Sequence, residues 1–382
     1  MPCTNSGIIV GMYGVSSIAG PLLGGAFADK ATWRWCFYIN LPIGAVAAAC
    51  IALFFPEPKS RRKLSMSEPW LQRVDRFDPI GTLLLIPGVI CLLLALQWGG
   101  VKYDWDSGRI VALFVLAGLL LLGFCGVQVW KQENATVPPR ILRNRTVWAS
   151  VQYAFGLGGC FFIAIYFIPI WFQAVKGASA VNSGIRNLPM VLSSVLSGLA
   201  AGIIVTVQGQ YAPWMILGTV CMSVGAGLLS TWEVDSGPGR WIGYQFLLGI
   251  GVGLGLQQPV VAVQTVLDIK DVAVGASLII FTQSIGGAMF VPVGQTVFTN
   301  RLVSSLKEHA PAVDPKSVLD GGAAGLGTRF AADVLQGIVL SWNEALTRTF
   351  VVAAAMGAFT VIGAAFVEWK SVKGKQIDMG MA

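Results

Sequence analysis

The sequence predicts an all-α, polytopic membrane protein with about ten transmembrane helices, and three observations support this fold class. Of its 382 residues, 55% are hydrophobic and only 12% are charged, about half the charged share of soluble domains. Glycine is abundant, with 46 residues. Ten long apolar spans contain no Asp, Glu, Lys or Arg. The composition excludes a soluble enzyme, a disordered chain and a disulfide scaffold, because so few polar residues cannot cover a water-exposed surface.

Each apolar span has the length of about 20 residues that a helix needs to cross a bilayer. The first span has no basic segment before it and is too long for the apolar part of a signal peptide, so no cleavable signal is expected. In order, the predicted spans are residues 7–28, 36–56, 79–98, 110–130, 147–171, 187–207, 212–232, 241–267, 273–299 and 349–367.

The connection 300–348 is too long for a simple turn, and its apolar residues recur at helical spacing. This spacing favours either a helix lying on the membrane surface or a helix packed on the bundle. The residues concerned are Leu335, Ile338, Val339, Trp342 and Leu346.

Lysine and arginine are unevenly divided between alternate loops. Fourteen lie in the linker 57–78, the loop 131–146, at Lys270 and in the tail 368–382, whereas seven lie in the opposite short loops and helix edges. The positive-inside rule therefore predicts that both termini are cytoplasmic. This bias also accounts for the net charge of +7, so we expect no nucleic-acid partner.

Two glycosylation sequons occur, at Asn134 and Asn144. Both fall in the loop 131–146 that the charge bias places inside the cell, so neither is expected to carry a glycan. A glycan at either position would contradict the predicted topology.

The sequence lacks the motifs that catalysis, nucleotide binding or metal binding would require. It has no GxxxxGK[ST] loop for a nucleotide phosphate and no CxxC pair for a metal. Six of its seven cysteines lie inside the spans. Its one histidine, His309, falls in the outer connection, where a solvated loop residue is the simplest interpretation. We expect no cofactor, no metal, no nucleotide and no enzymatic activity. A carrier, a channel or an accessory scaffold remain.

The glycines favour a carrier with closely packed, sliding helices, although packing alone explains any single glycine equally well. The span 241–267 is the richest, with Gly243, Gly249, Gly251, Gly253 and Gly255.

Several motifs then resemble those of a known family. The run "GVSSIAGPLLGG" resembles the antiporter motif on the fifth helix of major facilitator superfamily exporters; its motif residues are Gly14, Gly20, Pro21, Gly24 and Gly25. Pro21 would remove a backbone hydrogen bond and the flanking glycines would allow a bend and close packing.

Four later segments resemble the fourteen-helix drug:proton antiporter group of that superfamily. "WRWCFYINLPIG" is similar to the opening of the sixth helix, and "LLALQWGG" with "SGRIVALF" to the two extra central helices. "IPIWFQAVKGASAVNSGIRNLPM" and "WIGYQFLLGIGVGLGLQQPVVAVQTVL" complete the match. The resemblance implies a fungal multidrug or toxin efflux transporter of the plasma membrane, with a small-molecule substrate, protons and the lipid bilayer as partners.

The resemblance also implies a domain organisation in which the family's first four helices are absent from this sequence. The implied parts are an N-terminal bundle remnant (1–56), a cytoplasmic linker (57–78), two central helices (79–130), a cytoplasmic loop (131–146), a six-helix C-terminal bundle (147–367) that contains the outer connection 300–348, and a cytoplasmic tail (368–382). The absent helices would carry the groups that the family associates with proton coupling. The retained spans have no titratable acid of their own.

Carriers bind substrates near the bilayer midplane, where an amphipathic molecule needs aromatic faces and neutral hydrogen-bonding groups. The sharpest combination is Gln257 and Gln258 beside the helix breaker Pro259. For each glutamine an interhelical hydrogen bond is the competing interpretation, and for each aromatic residue it is packing or lipid contact. The candidates are Gln152, Tyr153, Phe155, Tyr166, Gln257, Gln258, Phe281 and Gln283.

Two functions follow from these observations. The first is secondary active, proton-coupled efflux of a small amphipathic organic molecule such as a drug, a toxin or a secondary metabolite. The alternative is a truncated, transport-incompetent membrane protein from a decayed gene or an incomplete gene model. Solute uptake is disfavoured, because the "GPLLGG" pattern resembles that of exporters. Neither the substrate nor the oligomeric state is predicted by the sequence.

Overall fold

The computed structural model describes residues 16, 20, 23–27, 31–54, 78–100, 102–323 and 325–373, and these form helices and their connections. Nine spans within this part of the chain are long and apolar enough to cross a membrane. We label the helices α1 (Asn40–Phe54, preceded by Trp35–Tyr38), α2 (Pro79–Trp98), α3 (Gly108–Lys131), α4 (Arg145–Ala174), α5 (Leu188–Gln208), α6 (Ala212–Leu229), α7 (Pro238–Leu256), α8 (Gln258–Val266), α9 (Ile269–His309) and α10 (Ala332–Phe366).

Short helices occupy the connections. They are Gln132–Asn134, Pro139–Leu142, Ala180–Arg186, Pro315–Gly321 and Leu326–Arg329.

The predicted membrane class is confirmed, and nine of the ten predicted spans coincide with helices. The helices α7 and α8 together form one span, Pro238–Val266. Most of the first predicted span, 7–28, lies outside the described residues, although residues 23–27 are helical. The physical reason for the agreement is that a charge-free segment of this length satisfies its backbone in a bilayer only as a helix.

The outer connection is shorter than the sequence predicted, because helices enter it from both sides. The helix α9 continues to His309, and α10 begins at Ala332. With 41 residues, α9 is about 60 Å long at 1.5 Å per residue, which exceeds the bilayer core of about 30 Å. Its end therefore projects from the membrane.

The apolar stripe at the start of α10 packs on the bundle, so the alternative of a helix on the membrane surface is wrong. Ile338 and Leu346 are fully buried, and Trp342 is nearly so. Leu335 and Val339 pack against the same core. The stripe gains more by covering the aromatic end of the bundle than by lying among lipid headgroups, because Trp342 packs against Phe298 of α9 with the rings tilted by 54° and 5.1 Å between their centroids.

Helices α4 to α10 form one bundle around α4. This helix packs against α9 and α10, while α7 packs against α5 and α6, and α6 closes the ring on α10. At one end, Trp171 of α4 packs against Trp232, which follows α6, with the rings tilted and 4.4 Å between their centroids. The Trp171 indole donates to Asn343 of α10, whose amide donates to the Trp232 carbonyl.

Close helix contacts in the bundle depend on glycine, as the sequence indicated for α7. A Cβ atom at Gly249 or Gly253 would collide with the backbone of α5, at Met190 and Ser194. At Gly251 it would collide with α6, whereas at Gly243 nothing described lies within 4 Å. Glycine thus allows α7 to approach two neighbours at once.

The central pair, α2 and α3, packs together and touches α9. A buried carboxylate, Asp78, joins the pair at one end. It accepts hydrogen bonds from the Gly81 N–H at 3.0 Å, the Gln128 amide at 2.8 Å and the Thr136 hydroxyl at 2.9 Å. Lys131 is 3.4 Å away. The same carboxylate therefore ties the start of α2 to the end of α3 and to the loop beyond it.

Candidate functional site

A helix break marks the centre of the bundle. The helix α7 ends at Leu256 and α8 begins at Gln258, with Gln257 between them. Pro259 contributes no N–H to the backbone ladder, so the hydrogen bond that would join the two helices at this point is lost. The break that the sequence indicated at these residues is therefore present. Discontinuous membrane helices are a common feature of substrate sites in carriers.

The break lies level with the centres of α4 and α9. A Cβ atom at Gly255 would lie 3.0 Å from the Leu157 side chain of α4. One residue further along α4, Gly158 contacts the Gln283 carbonyl of α9. Gly255, two residues before Gln257, and Gln283 thus lie against the same turn of α4.

Gln258 differs from an ordinary packed glutamine. Its side chain is 1% exposed, and its Oε1 atom has no hydrogen-bond partner among the described residues. Leaving a buried amide oxygen unpaired costs about 1–3 kcal/mol. Gln257, one residue earlier, is exposed. A hydrogen-bond donor on a bound molecule would satisfy the Gln258 oxygen.

Gln152 and Tyr153 instead hold helices together. The Gln152 amide donates to the Phe359 carbonyl of α10 at 2.8 Å. This is an interhelical hydrogen bond, the competing interpretation that the sequence allowed for each glutamine. Tyr153 is fully buried, and its hydroxyl donates to the Met215 carbonyl of α6 at 3.1 Å. Both are thus engaged within the bundle in this structure.

The other three aromatic candidates, Phe155, Phe281 and Tyr166, lie in different surroundings. Phe155 meets Phe290 of α9 edge to face, at 5.8 Å between ring centroids. Phe281 is exposed on α9, two residues before Gln283. Tyr166 is 50% exposed, but it lies 11 residues after Phe155 along α4, about 16 Å at 1.5 Å per residue. The structure therefore does not bring Tyr166 to the level of the helix break.

Sequence reasoning missed two further glutamines. Both amide atoms of Gln245, in α7, are buried without a hydrogen-bond partner among the described residues, and so is Oε1 of Gln264 in α8. Both could have been found as neutral amides inside charge-free spans, because burying an amide group without a hydrogen bond costs free energy.

The antiporter-like segment is partly described. Gly14 and Pro21 lie outside the described residues. A Cβ atom at Gly25 would lie 2.9 Å from the Val181 Cα atom of the short helix before α5. At Gly20 and Gly24 nothing described lies within 4 Å. Among the described glycines of the motif, Gly25 is the one at which another backbone segment comes close.

We expect Gly25→Leu to reduce transport about tenfold, because overpacking a tight contact costs about 1–3 kcal/mol and would hold the segment away from Val181. Gly24→Leu is the matched control and should retain transport. Efflux per copy of surface protein measures the difference. Equal efflux by the two variants would contradict the prediction.

A second charged contact ties the loop after α3 to the bundle. The Arg140 guanidinium donates to both carboxylate oxygens of Asp271, at 2.7 and 2.8 Å, and to Glu133 at 2.9 Å. These carboxylates hold the pKa of Arg140 above its usual range, chiefly through the hydrogen bonds with Asp271. A bidentate pair of this kind fixes geometry as well as charge.

The similarity to known proteins agrees with this architecture. Residues 4–291 match the family model described as Major Facilitator Superfamily. The chain belongs to the major facilitator superfamily. The family expectation from the sequence is thereby confirmed, and the protein is a membrane transporter.

Its relatives include fungal exporters. The chain is 52% identical over 377 residues to an MFS-type efflux pump of Trichophyton rubrum, covering 99% of this chain and 70% of that one. It is 50% identical to the aspyridones efflux protein of Neocamarosporium betae, covering 96% of this chain and 65% of that one. An efflux pump of Penicillium rubens is 48% identical, covering 95% of this chain and 67% of that one.

Among solved structures, the chain is similar to a bacterial homolog of the human lysosomal transporter Spinster in an inward-facing, occupied conformation. The TM-score is 0.45 at 16% identity, and the similarity covers 95% of this chain and 83% of that one.

Proposed function

We propose that the protein exports a small amphipathic organic molecule, a drug, toxin or secondary metabolite, as a secondary active transporter driven by protons. The relatives named as efflux pumps support the direction, and one of them is named for a secondary-metabolite class. The structural observation that carries the proposal is the break between α7 and α8, where the buried Gln258 oxygen has no partner among the described residues. The substrate would leave chemically unchanged.

The substrate would contact the helix break through neutral groups. Gln257 and Gln258 follow Gly255, which lies against the same turn of α4 as Gln283, and Phe281 offers an exposed ring on α9. None of these four side chains is charged, and charges are excluded from the spans around them. The site therefore favours a neutral, largely apolar molecule that donates one or two hydrogen bonds.

The topology is also proposed, with both termini cytoplasmic and the protein in the plasma membrane. Segments that the charge bias assigns to the cytoplasm meet at one end of the structure, which supports this orientation. Asp78 contacts Thr136, and Arg140 contacts Asp271. The Tyr211 hydroxyl, between α5 and α6, donates to the Glu368 carbonyl.

We also propose the domain division that the resemblance implies, and that Asn134 and Asn144 carry no glycan. The Asn144 side chain accepts the Thr146 N–H at the start of α4, so a glycan there would stand beside a helix terminus.

The alternative of a decayed, transport-incompetent product is not favoured. Similarity to efflux pumps runs through 95–99% of this chain, whereas a decaying sequence would lose similarity in places.

The proposed export is tested by expressing the chain in a pump-deficient yeast strain. We expect energised cells to expel members of a panel of amphipathic dyes and toxins faster than vector controls, and a protonophore to stop the expulsion. Surface abundance is measured through a C-terminal tag. Normal abundance without efflux of any panel member would count against export, and efflux that survives the protonophore would count against proton coupling.

At the helix break, we expect Gln258→Leu to raise the KM for a hydrogen-bonding substrate about tenfold, because it removes a buried amide oxygen that has no partner among the described residues. Abundance should stay normal, since the leucine replaces an unpaired polar atom by an apolar one.

Gln152→Leu is the contrasting variant. It removes the bond to Phe359, so it should lower thermal stability by about 1 kcal/mol and leave KM nearly unchanged. A raised KM in Gln152→Leu but not in Gln258→Leu would reverse the assignment.

A further inference from the structure

A charged cluster joins α9 and α10 at the end of the bundle opposite to Asp78 and Asp271. Glu344 of α10 accepts hydrogen bonds from the Arg301 guanidinium at 2.7 Å and the Ser305 hydroxyl at 3.0 Å. His309 Nε2 lies 3.2 Å from the other Glu344 oxygen. The three residues of α9 are four positions apart, so they form one stripe on that helix.

Two cavities reach the Glu344 carboxylate. One, of about 750 Å³, is lined by Glu344 together with Glu233, Asp235 and the aliphatic residues of α10. The other, of about 380 Å³, is lined by Glu344, Arg301 and Arg348. Glu344 thus lines both cavities. Water that enters either of them can bring a proton to this residue.

Other charged groups surround the cluster from each packed element. Glu233 and Asp235 follow α6, and Glu233 is paired with Arg240 at 3.1 Å. Lys176, after α4, donates to the Val234 carbonyl, and burial together with Arg186 lowers the pKa of Lys176 against the opposing effect of Asp235. Arg329 of the short helix before α10 donates to the Gly321 carbonyl.

We propose that Glu344, with His309 and Arg301, is a proton-binding site at the outer end of the bundle that controls the contact between α9 and α10. The proposal rests on proton-driven export and on the topology proposed above, in which this end faces outside. A proton from external water binds to the imidazole–carboxylate pair and returns to water when the pair releases it.

The chemistry of the pair suits this role. A neutral imidazole becomes a cation when it binds a proton. The Arg301 guanidinium, 2.7 Å from the Glu344 carboxylate, favours the charged form of that carboxylate, so we assign the proton to His309. A proton on His309 strengthens the attraction across its 3.2 Å contact with Glu344, and the force between the two helices changes.

The cluster is connected to the helix break by a single element. The helix α9 extends from Phe281 and Gln283 to His309 without an intervening loop, and Pro292 lies inside it between these points. A shift of its outer end therefore reaches the proposed substrate level through a helix that lacks one backbone hydrogen bond at Pro292. Proton binding at the cluster and substrate binding at the break would then both shift the equilibrium between two positions of α9. Coupling between two sites requires such a shared element.

Efflux from intact yeast at external pH values between about 5 and 8 tests the proposal. We expect wild-type efflux to fall about tenfold across this range, and Glu344→Gln and His309→Gln to flatten the profile. Glu308→Gln is the matched control, because Glu308 is exposed on the same helix beside His309, and it should keep the wild-type profile. The Glu344→Gln variant should still move substrate down the substrate's own gradient. If Glu344 only stabilised the fold, its replacement would reduce this movement as well.

Wild-type pH profiles in both Glu344→Gln and His309→Gln would overturn the proposal while leaving proton-driven export intact. If Glu344→Gln fails to reach the membrane, His309→Gln decides the question. Independently of transport, infrared difference spectra of the purified full chain between low and high pH should show a carboxyl signal that disappears in Glu344→Gln. A signal that persists in this variant would overturn the assignment, and its disappearance would support the site even if export proved not to be driven by protons.

Discussion

Gly251→Val is expected to lower folded protein in the membrane more than about tenfold, with a loss of stability of about 3 kcal/mol. An added Cβ atom at Gly251 would collide with the Met222 backbone nitrogen and lie 2.8 Å from the Cys221 carbonyl carbon. The opposing helix α6 is equally close, since a Cβ atom at Gly218 would lie 3.0 Å from the Gly251 carbonyl oxygen. Backbone meets backbone here, so no side chain can move aside.

The matched control for this prediction is Gly243→Val, on the same helix. Nothing described lies within 4 Å of a Cβ atom at Gly243, so this variant should fold and transport normally. Surface abundance and the melting temperature of the purified protein measure both variants. A normally abundant and stable Gly251→Val protein would show that α6 and α7 do not approach as closely as described.

Asp78→Ala should have the second large effect, because it removes the acceptor shared by the two ends of the central pair. Asp78 is 1% exposed, and the Gly81 N–H, the Gln128 amide and the Thr136 hydroxyl would all lose their partner. Breaking a buried charged network of this kind costs about 3–5 kcal/mol. Thermal unfolding in detergent measures the loss, and the exposed Asp106 provides the control Asp106→Ala, which should unfold like the wild type.

The same carboxylate predicts an acid limit of stability. Burial alone would raise the pKa of Asp78, but hydrogen bonds from Gln128, Gly81 and Thr136 outweigh it and lower the pKa from 3.8 to about 2. A lowered pKa means that the stabilisation, about 2 kcal/mol, is complete above about pH 4 and is lost as the pH falls towards 2. Asp78→Asn should remove this part of the pH dependence. An unchanged acid unfolding curve in Asp78→Asn would contradict the prediction.

Much of the fold could be predicted because the bilayer imposes strict requirements on sequence. A charge-free segment such as 79–98 must cross as a helix, and the structure has α2 at Pro79–Trp98. Pro259 indicated a missing backbone hydrogen bond near Gln257, but Pro87, Pro169 and Pro292 lie inside uninterrupted helices, so the break itself was decided by the tertiary structure. Charge-free spans and helix breakers are local properties, so neighbouring residues along the chain suffice to determine them.

The roles of the glutamines could not be predicted, because they depend on what another helix presents. Gln152 and Gln258 have the same side chain in similar apolar surroundings of sequence. The Gln152 amide N–H donates to the Phe359 carbonyl 207 positions away, whereas Oε1 of Gln152 and Oε1 of Gln258 both have no hydrogen-bond partner among the described residues. The packing of α4 on α10 decides that Gln152 makes an interhelical hydrogen bond.

The sequence by itself thus determined the class of protein, the positions of the described spans, the resemblance to exporters and the helix breaker Pro259 in the long glycine-rich span. The tertiary structure decided which polar groups are paired. It placed His309, which as a lone loop residue carried no expectation of a role, beside Glu344, 35 positions away. It also packed the stripe of Ile338 and Trp342 on the bundle. The physical reason is that spans form from local hydrophobicity, whereas hydrogen bonds and ion pairs between helices depend on distances that no local pattern encodes.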